Sequence, residues 1–471
     1  MNHLSVVRVL ALGGLVMAAM NLLAALFAVT ASEYQFFTVF AAMAGGLSAL
    51  SGSVLLLTDK PLRRSRPIDG LAVAILFWIL TPITLAAPFY LMTSEGEPRL
   101  LIAIYEAASN LTTTGHSLVD PSLNMPASIL IWRAMLHLLG GIAALTIAVT
   151  VFAALNLGGP GIHRSRFFTI PEGSFFTAVA PTLRIMAITL LFLCSLLCFI
   201  LISGGIAPRD ALSASVSALT TGLVNPELAV QPIPGLNPFL LGMLVLGLVG
   251  GTLGVLLFDD IYNGRPGRIL VDPETISFTG LFFLAAFLAF IAGLPILSAA
   301  GWSLSSISTS GMQLIDPARL DRLPLVLILF PVLIGGAALS TAGGIKLSRM
   351  ILLTRRVGAE FRQLGYRGSV QHLQFRGIKQ TEESLIGVWV YLVGYIIACV
   401  FGILFLSFMD VGFDSAIRIT IGAIANAGHI LVDQIDSDHP AVILAALLGM
   451  ILGRLEVIAL LPALNPSFWR S

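Results

Sequence analysis

Charged residues are scarce in this sequence. Lys, Arg, Asp and Glu make up 11% of its 471 residues, with a net charge of +1, whereas an ordinary soluble domain carries about 25% charged residues. Hydrophobic residues make up 57%, and the mean hydropathy is +0.94. This balance excludes an ordinary soluble domain and gives no indication of nucleic-acid binding. It indicates an all-α integral membrane protein.

Cysteine is rare, and metal-binding patterns are lacking. Cys194, Cys198 and Cys399 lie in apolar runs without metal-type Cys/His spacing, so we expect them to pack between helices. His137 and His372 stand alone, and the sequence has no HExxH set and no nucleophile paired with a base. We therefore expect no enzyme, no fixed transition-metal site and no cofactor in this chain.

Ten long apolar runs predict transmembrane helices, because a bilayer core about 30 Å thick needs about 20 apolar residues per helix. They lie near residues 6–30, 35–58, 69–93, 128–156, 183–205, 236–258, 275–298, 323–351, 384–409 and 439–462. Several are separated by shorter semi-apolar stretches such as 99–120. These stretches are too polar to cross the membrane, and they predict re-entrant segments.

Basic residues predict the orientation, because Lys and Arg collect in cytoplasmic loops. Four connecting segments carry them: Lys60, Arg63, Arg64 and Arg66; Arg164 and Arg166; Arg265 and Arg268; and Arg349, Arg355, Arg356, Arg362, Arg367, Arg376 and Lys379. With ten spans, all four segments and both termini are cytoplasmic. The re-entrant segments then face the opposite side.

Four copies of one unit follow each other along the chain, each consisting of a helix, a re-entrant segment and a helix. Each re-entrant segment contains a glycine, an oxygen-bearing side chain two residues before it and a carboxylate five residues after it. The glycines are Gly115, Gly222, Gly311 and Gly428; the oxygen-bearing residues are Thr113, Thr220, Thr309 and Asn426; the carboxylates are Asp120, Glu227, Asp316 and Asp433. General acidity of loops outside the membrane is the alternative explanation for the carboxylates.

Non-helical backbone at membrane depth is tolerated only where it lines water or ions. Four such segments around one axis supply carbonyl oxygens that replace the hydration shell of a cation. We therefore predict a cation selectivity filter, with the four carboxylates around its outer mouth. The predicted filter segments are Thr113, Thr114, Gly115 and His116 (filter one); Thr220, Thr221, Gly222 and Leu223 (filter two); Thr309, Ser310, Gly311 and Met312 (filter three); and Asn426, Ala427, Gly428 and His429 (filter four).

Several separated motifs resemble the Trk/Ktr/HKT superfamily of potassium transporters, and most closely its bacterial Trk membrane subunits. They are IWRAMLHLLGGI at 131–142, PRDALSASVSALTTG at 208–222, GGAALSTAGGIKLSRMILLTRR at 335–356, GRLEV at 453–457 and NPSFWR at 465–470. The resemblance implies that one chain forms a pseudo-fourfold pore and that the backbone carbonyls of its filter hold K⁺. It also implies that two chains pair as a homodimer with two separate pores. Four filter glycines imply potassium preference, although Leu223, the alanines of filter four and the two filter histidines depart from the usual pattern.

The repeats divide the chain into six parts. Residues 1–60 form two extra N-terminal helices, 61–160 repeat one, 161–262 repeat two, 263–351 repeat three with a broken second helix, 352–382 a cytoplasmic basic loop and 383–471 repeat four.

The resemblance also implies a gate below the filter. Its predicted residues are Gly335, Gly336, Ser340, Thr341, Gly343, Gly344, Lys346 and Arg454. Four glycines with Ser340 and Thr341 inside an apolar run predict a helix that unwinds beside water, and close helix packing through small residues is the alternative. Arg454 lies mid-span, where a charge costs about 2.5 to 3.5 kcal/mol on insertion scales, so it should face the pore or a carboxylate. Lys346 belongs either to the gate or to the cytoplasmic edge.

The basic segment Leu352–Thr381 is the predicted docking surface for a regulator. The resemblance implies a ring of nucleotide-binding RCK-type subunits there, and contact with anionic membrane lipid is the alternative. It also implies the bacterial inner membrane as the location.

Two questions stay open from the sequence. His116 and His429 either protonate and repel entering cations or hydrogen-bond the pore helices as neutral imidazoles. An alternating-access transporter coupled to Na⁺ or H⁺ is the alternative to a channel-like pathway, but such transporters are typically built of inverted repeats, and these four repeats share one orientation.

Overall fold

The computed structural model describes residues 3–58, 66–94, 98–119, 125–152, 175–254, 266–315, 323–365, 373–376, 378–380 and 382–456. The predicted carboxylates Asp120 and Asp316 lie outside the described residues, as does the motif at 465–470. So do the basic residues Lys60, Arg63, Arg64, Arg164, Arg166, Arg265 and Arg367.

The N-terminal half of the described chain is built of helices. The helices α1 (His3–Thr30) and α2 (Tyr34–Leu57) precede the repeats. Repeat one contains α3 (Pro67–Thr84), α4 (Ala87–Tyr90), the pore helix α5 (Arg99–Leu111) and α6 (Ala127–Ile147), which continues into a π-helical turn (Ala148–Phe152). Repeat two contains α7 (Phe175–Ser203), the pore helix α8 (Pro208–Thr220), a 3₁₀ turn (Pro226–Ala229) and α9 (Pro238–Leu253).

The C-terminal half repeats this order with one interruption. Repeat three contains a 3₁₀ segment (Pro266–Val271), α10 (Pro273–Ile291), the pore helix α11 (Ile296–Ile307) and a second helix in two pieces, α12 (Leu325–Ile334) and α13 (Leu347–Gly365). The antiparallel strands β1 (Gln374–Phe375) and β2 (Ile378–Lys379) form a short hairpin. Repeat four contains α14 (Glu382–Phe408), the pore helix α15 (Phe413–Ile424), a 3₁₀ turn (Gly428–Ile430) and α16 (Pro440–Leu455).

Seven described helices are long and apolar enough to cross a membrane: His3–Thr30, Tyr34–Leu57, Pro67–Tyr90, Ala127–Thr150, Val179–Ser203, Pro273–Ile291 and Leu385–Phe408. The three other predicted spans correspond to the shorter apolar helices α9, α12 and α16. Each of these is followed directly by a residue with positive φ, namely Gly254 (62°), Gly335 (71°) and Glu456 (54°). A right-handed helix does not continue through such a residue, so the count of ten full spans stays a prediction.

The second helix of each repeat packs against the pore helix of the next repeat. Helix α6 contacts α8, α9 contacts α11, α12 contacts α15, and α16 returns to contact α5. Because the last repeat contacts the first, the four repeats close into a ring. Large apolar side chains such as Phe199, Phe283 and Phe401 are exposed on its outer helices, as expected for a surface that faces lipid rather than water.

Helix α1 holds the N-terminal pair against the ring by contacts with α3 and α6. At the end of this pair, the Glu33 carboxylate accepts hydrogen bonds from the amides of Ala127 (2.8 Å) and Ser128 (3.0 Å). These amides belong to the first turn of α6, where N–H groups lack partners within the helix and a negative charge is favourable.

Candidate ion filter and gate

A left-handed residue follows each of the four pore helices. The first left-handed residue after each helix is Thr113 (φ 54°), Thr221 (52°), Thr309 (58°) or Asn426 (51°). In repeats one, two and four the next residue donates its amide to the carbonyl five positions back: Thr114 to Ser109, Gly222 to Ser217 and Ala427 to Gly422. Positive φ is uncommon for a non-glycine residue, so its recurrence at one position marks a shared backbone design.

This turn corrects the alignment of repeat two. Alignment of the repeats on their glycines pairs Thr220 with Thr113. In the structure, however, Thr220 is the last residue of α8 and Thr221 is the left-handed residue. The Thr220 hydroxyl donates to the Val216 carbonyl (2.7 Å), just as the Thr112 hydroxyl donates to Ala108 (2.8 Å). The structural equivalent of 113–116 is therefore 221–224, and Leu223 rather than Gly222 occupies the position of Gly115. The alignment on the glycines is wrong for repeat two because this repeat has one residue fewer between the left-handed residue and its glycine.

The filter segments differ in conformation at this position. Gly115 (φ 78°) and Gly311 (φ 70°) are left-handed, whereas Leu223 and Gly428 are not. Repeats one and three lie opposite each other in the ring, and so do repeats two and four. Left-handed and other backbone conformations thus alternate around the ring at this one position.

Neighbouring filter segments approach closely. A Cβ added to Gly115 would lie 2.2 Å from the Leu223 carbonyl oxygen, and one added to Gly428 would lie 2.2 Å from that of Thr114. Filter three is in contact with filter four, since a Cβ on Gly311 would lie 2.3 Å from the Cβ of His429. The amide of Gln313 donates to the Leu228 carbonyl (2.7 Å), which joins repeats three and two.

A cavity of about 510 Å³ lies at one end of the filter. Its lining includes the predicted carboxylates Glu227 and Asp433 together with Gly115 and His116. Asp436, which the repeat pattern does not mark, lines it as well. The described loops therefore place three carboxylates around an opening that leads to the filter.

An intramembrane loop, residues 335–346 between α12 and α13, lies against the other end of the filter. Its Thr341 hydroxyl is 3.0 Å from that of Thr221, and its Gly343 amide donates to the Thr309 hydroxyl (3.0 Å). The Lys346 ammonium donates back into the loop, to the carbonyls of Ser340 (3.2 Å) and Ala342. Lys346 thus belongs to this loop rather than only marking its edge.

Arg454 on α16 joins the loop to filter one. Its guanidinium donates hydrogen bonds to the Thr112 carbonyl, the Thr113 hydroxyl and the Thr341 carbonyl. The side chain is 8% exposed, and these three acceptors are neutral oxygens. Arg454 is therefore a buried cation with no carboxylate among its hydrogen-bond partners in the described residues. It occupies carbonyl oxygens at the end of the filter, where a permeating cation would need them as ligands.

Two ion pairs at the site have partners that the sequence did not identify. Glu456 forms an ion pair with Arg349, whose guanidinium lies 3.9 Å from the centroid of the Tyr391 ring. Arg133 and Glu106 form a second buried ion pair behind the filter. A signal for the second pair was present, because a charge inside an apolar span or a pore helix requires a partner.

The filter histidines have different surroundings. His116 is 6% exposed, and its Nδ1 lies 2.7 Å from the Tyr105 hydroxyl on the pore helix. The His429 ring packs against Gly311, and neither ring nitrogen has a hydrogen-bond partner among the described residues. Within the same residues, no group of three His, Cys, Asp or Glu side chains is arranged to hold a metal ion.

A ring of four pore helices around converging backbone segments, closed beneath by a loop, is the architecture of a helical membrane transport protein. The TrkH family, described as cation transport proteins, is matched over residues 37–225 and 296–465, and the chain belongs to this family.

Known relatives are similar over nearly their whole length. The Trk system potassium uptake protein TrkH of Escherichia coli (strain K12) is 26% identical over 426 residues, covering 85% of this chain and 86% of that protein. The Trk system potassium uptake protein TrkG of the same strain is 25% identical over 472 residues, covering 95% and 94%. The crystal structure of the potassium transporter TrkH from Vibrio parahaemolyticus has the same fold, with a TM-score of 0.84, 23% identity and full coverage of both chains.

Proposed function

We propose that this protein carries K⁺ into the bacterial cell across the inner membrane, through the four-segment filter. The intramembrane loop and Arg454 close the pathway in the conformation described. The observation that carries the proposal is the position of Arg454, which bonds filter one and Thr341 at once. The relatives named as Trk system potassium uptake proteins support potassium as the ion.

Growth rescue tests the proposal. We expect wild type to restore growth of a potassium-uptake-deficient bacterium at low K⁺ and Gly115→Ser to fail, because a Cβ there meets the Leu223 backbone and the φ of 78° disfavours it. Gly242→Ser is the matched control, since Gly242 on α9 has nothing within 4 Å of an added Cβ. Absence of rescue by wild type, with the protein present in the membrane, removes the proposal. Uptake that requires a Na⁺ or H⁺ gradient favours the alternating-access alternative.

The cytoplasmic hairpin is tied to the intramembrane loop. Arg376 donates to the Asp272 carboxylate (2.7 and 2.9 Å) and to Glu274 (2.7 Å). The other Glu274 oxygen accepts the amide of Ala338 in the loop (3.0 Å). Burial lowers the pKa of Arg376, but the two carboxylates outweigh it and the pKa is raised, so Arg376 stays charged. A regulator that moves the hairpin would therefore displace the intramembrane loop through the side chains of Arg376 and Glu274.

This connection supports cytoplasmic nucleotide-binding subunits of the RCK type as partners, acting on the basic segment 352–382. The naming of the relatives as parts of a Trk system is consistent with such a partner. We further propose a homodimer, with both termini cytoplasmic. Co-purification with a soluble nucleotide-binding subunit, and the mass of the complex in detergent, test these assignments.

A further inference from the structure

Arg133 on α6 and Glu106 on α5 form an ion pair (2.7 Å) whose side chains are 1% and 0% exposed. Burying two charges costs more than their attraction returns unless further hydrogen bonds satisfy them. The role of this ion pair therefore has to be inferred from the other hydrogen bonds that its two side chains make.

All of those contacts go to filter segments or to the residues directly following them. Arg133 donates to the carbonyl of Gly115 (2.9 Å) and, across the repeat boundary, to that of Val224 (2.7 Å). Glu106 accepts from the Ser117 hydroxyl (2.9 Å) and the Leu118 amide (2.6 Å). The pair thus fixes filter one from both sides and sets its distance from filter two.

The two carbonyls that Arg133 binds are not equivalent to free filter oxygens. Potassium selectivity depends on the number and field strength of the carbonyls that coordinate the ion, and a carbonyl that accepts from a guanidinium is engaged by a cation already. Helices α9 and α12, which correspond to α6 in repeats two and three, contain no Lys or Arg. In repeat four the corresponding helix carries Arg454, which bonds the inner end of filter one. Filter one is therefore the segment that both guanidiniums hold, one at each end.

We propose that Arg133, held by Glu106, is a positioning residue that sets the discrimination between K⁺ and smaller cations. It fixes the spacing of filters one and two and withdraws the carbonyls of Gly115 and Val224 from the permeating ion. This inference rests on the proposed function, because it requires that ions pass through the filter.

The test measures competition by Na⁺ against Rb⁺ uptake into liposomes containing the purified protein. Arg133→Lys keeps the charge, but a compact ammonium does not reach Glu106, Gly115 and Val224 together. The double variant Arg133→Gln with Glu106→Gln leaves no unpaired buried charge. In both we expect Na⁺ to compete at least about tenfold better than in wild type, as the loss of a charge-assisted hydrogen bond implies. Arg268→Gln, which removes a charge at an exposed position outside the basic segment 352–382, is the control and leaves the ratio unchanged.

Wild-type discrimination in folded Arg133→Lys overturns the inference. If that variant does not fold, Ser117→Ala decides, because it removes one hydrogen bond from Glu106 and no charge; an unchanged ratio there overturns the inference equally. Absence of Rb⁺ uptake by wild type instead contradicts the proposed function. The two failures are therefore distinguishable.

Discussion

The guanidinium of Arg454 donates a hydrogen bond to the main-chain carbonyl of Thr341, joining α16 to the intramembrane loop. The same side chain bonds filter one through Thr112 and Thr113. Loop and filter are thus held together by one residue, and under the proposed function an ion leaving the filter would meet both its charge and the loop.

Replacing Arg454 should open the pathway. We expect Arg454→Gln to raise resting flux about tenfold, because a hydrogen bond to a charged group contributes about 1.5–3 kcal/mol and 1.4 kcal/mol is a factor of ten. Arg454→Lys separates charge from geometry, since it keeps the charge and loses the simultaneous contacts. The measurement is Rb⁺ flux into liposomes, with Arg356→Gln as control. Unaltered resting flux in Arg454→Gln contradicts this role.

The packing of the loop against pore helix α15 gives a second prediction. A Cβ at Gly343 would lie 1.7 Å from the Ala425 carbonyl oxygen, a backbone atom that cannot rotate away. We expect Gly343→Ala to displace the loop, raise resting flux and lower stability by about 1–3 kcal/mol, the usual cost of overpacking. Melting of the purified protein and flux are measured together. Gly242→Ala, which meets nothing within 4 Å, is the control, and identical behaviour of the two variants contradicts the close packing.

The repeats, the pore helices and the unwound second helix of repeat three follow from local sequence, because apolar length, glycine and a pore-helix pattern act within about twenty residues. The register of filter two does not follow from local sequence. Its left-handed residue is Thr221, the residue before it is also a threonine, and only the backbone geometry distinguishes the two.

The ion pairs were missed for a different reason. Glu456 and Arg349 are 107 residues apart, so composition shows that each needs a partner without showing which one. Arg133 and Glu106 are closer in sequence, but their role depends on Val224 of the next repeat, and that contact exists only after the ring has closed.

The connection from Arg376 to the loop gives a third prediction. We expect Arg376→Gln to reduce the nucleotide-dependent change in flux several-fold when the proposed regulatory subunit is added, because Glu274 loses its cationic partner and holds Ala338 less firmly. Flux with and without nucleotide is the measurement. Arg209→Gln is the control, since Arg209 is exposed at the start of α8 and lies outside the basic segment 352–382. A regulatory response that survives Arg376→Gln unchanged contradicts the relay.

The filter histidines give the last prediction. Because the His116 ring is buried and bonded to Tyr105 on the pore helix, we expect it to act as a brace for filter one rather than as a proton-operated barrier. His116→Ala should lower Rb⁺ flux by a similar factor at every pH from about 5.5 to 8, the range in which an unperturbed histidine titrates. His439→Ala, at an exposed position before α16, is the control. Inhibition of wild type by acid, relieved in the double variant of His116→Ala with His429→Ala, contradicts the brace and restores the barrier. A parallel loss at all pH values leaves the hydrogen bond to Tyr105 as the reason for an imidazole at this position.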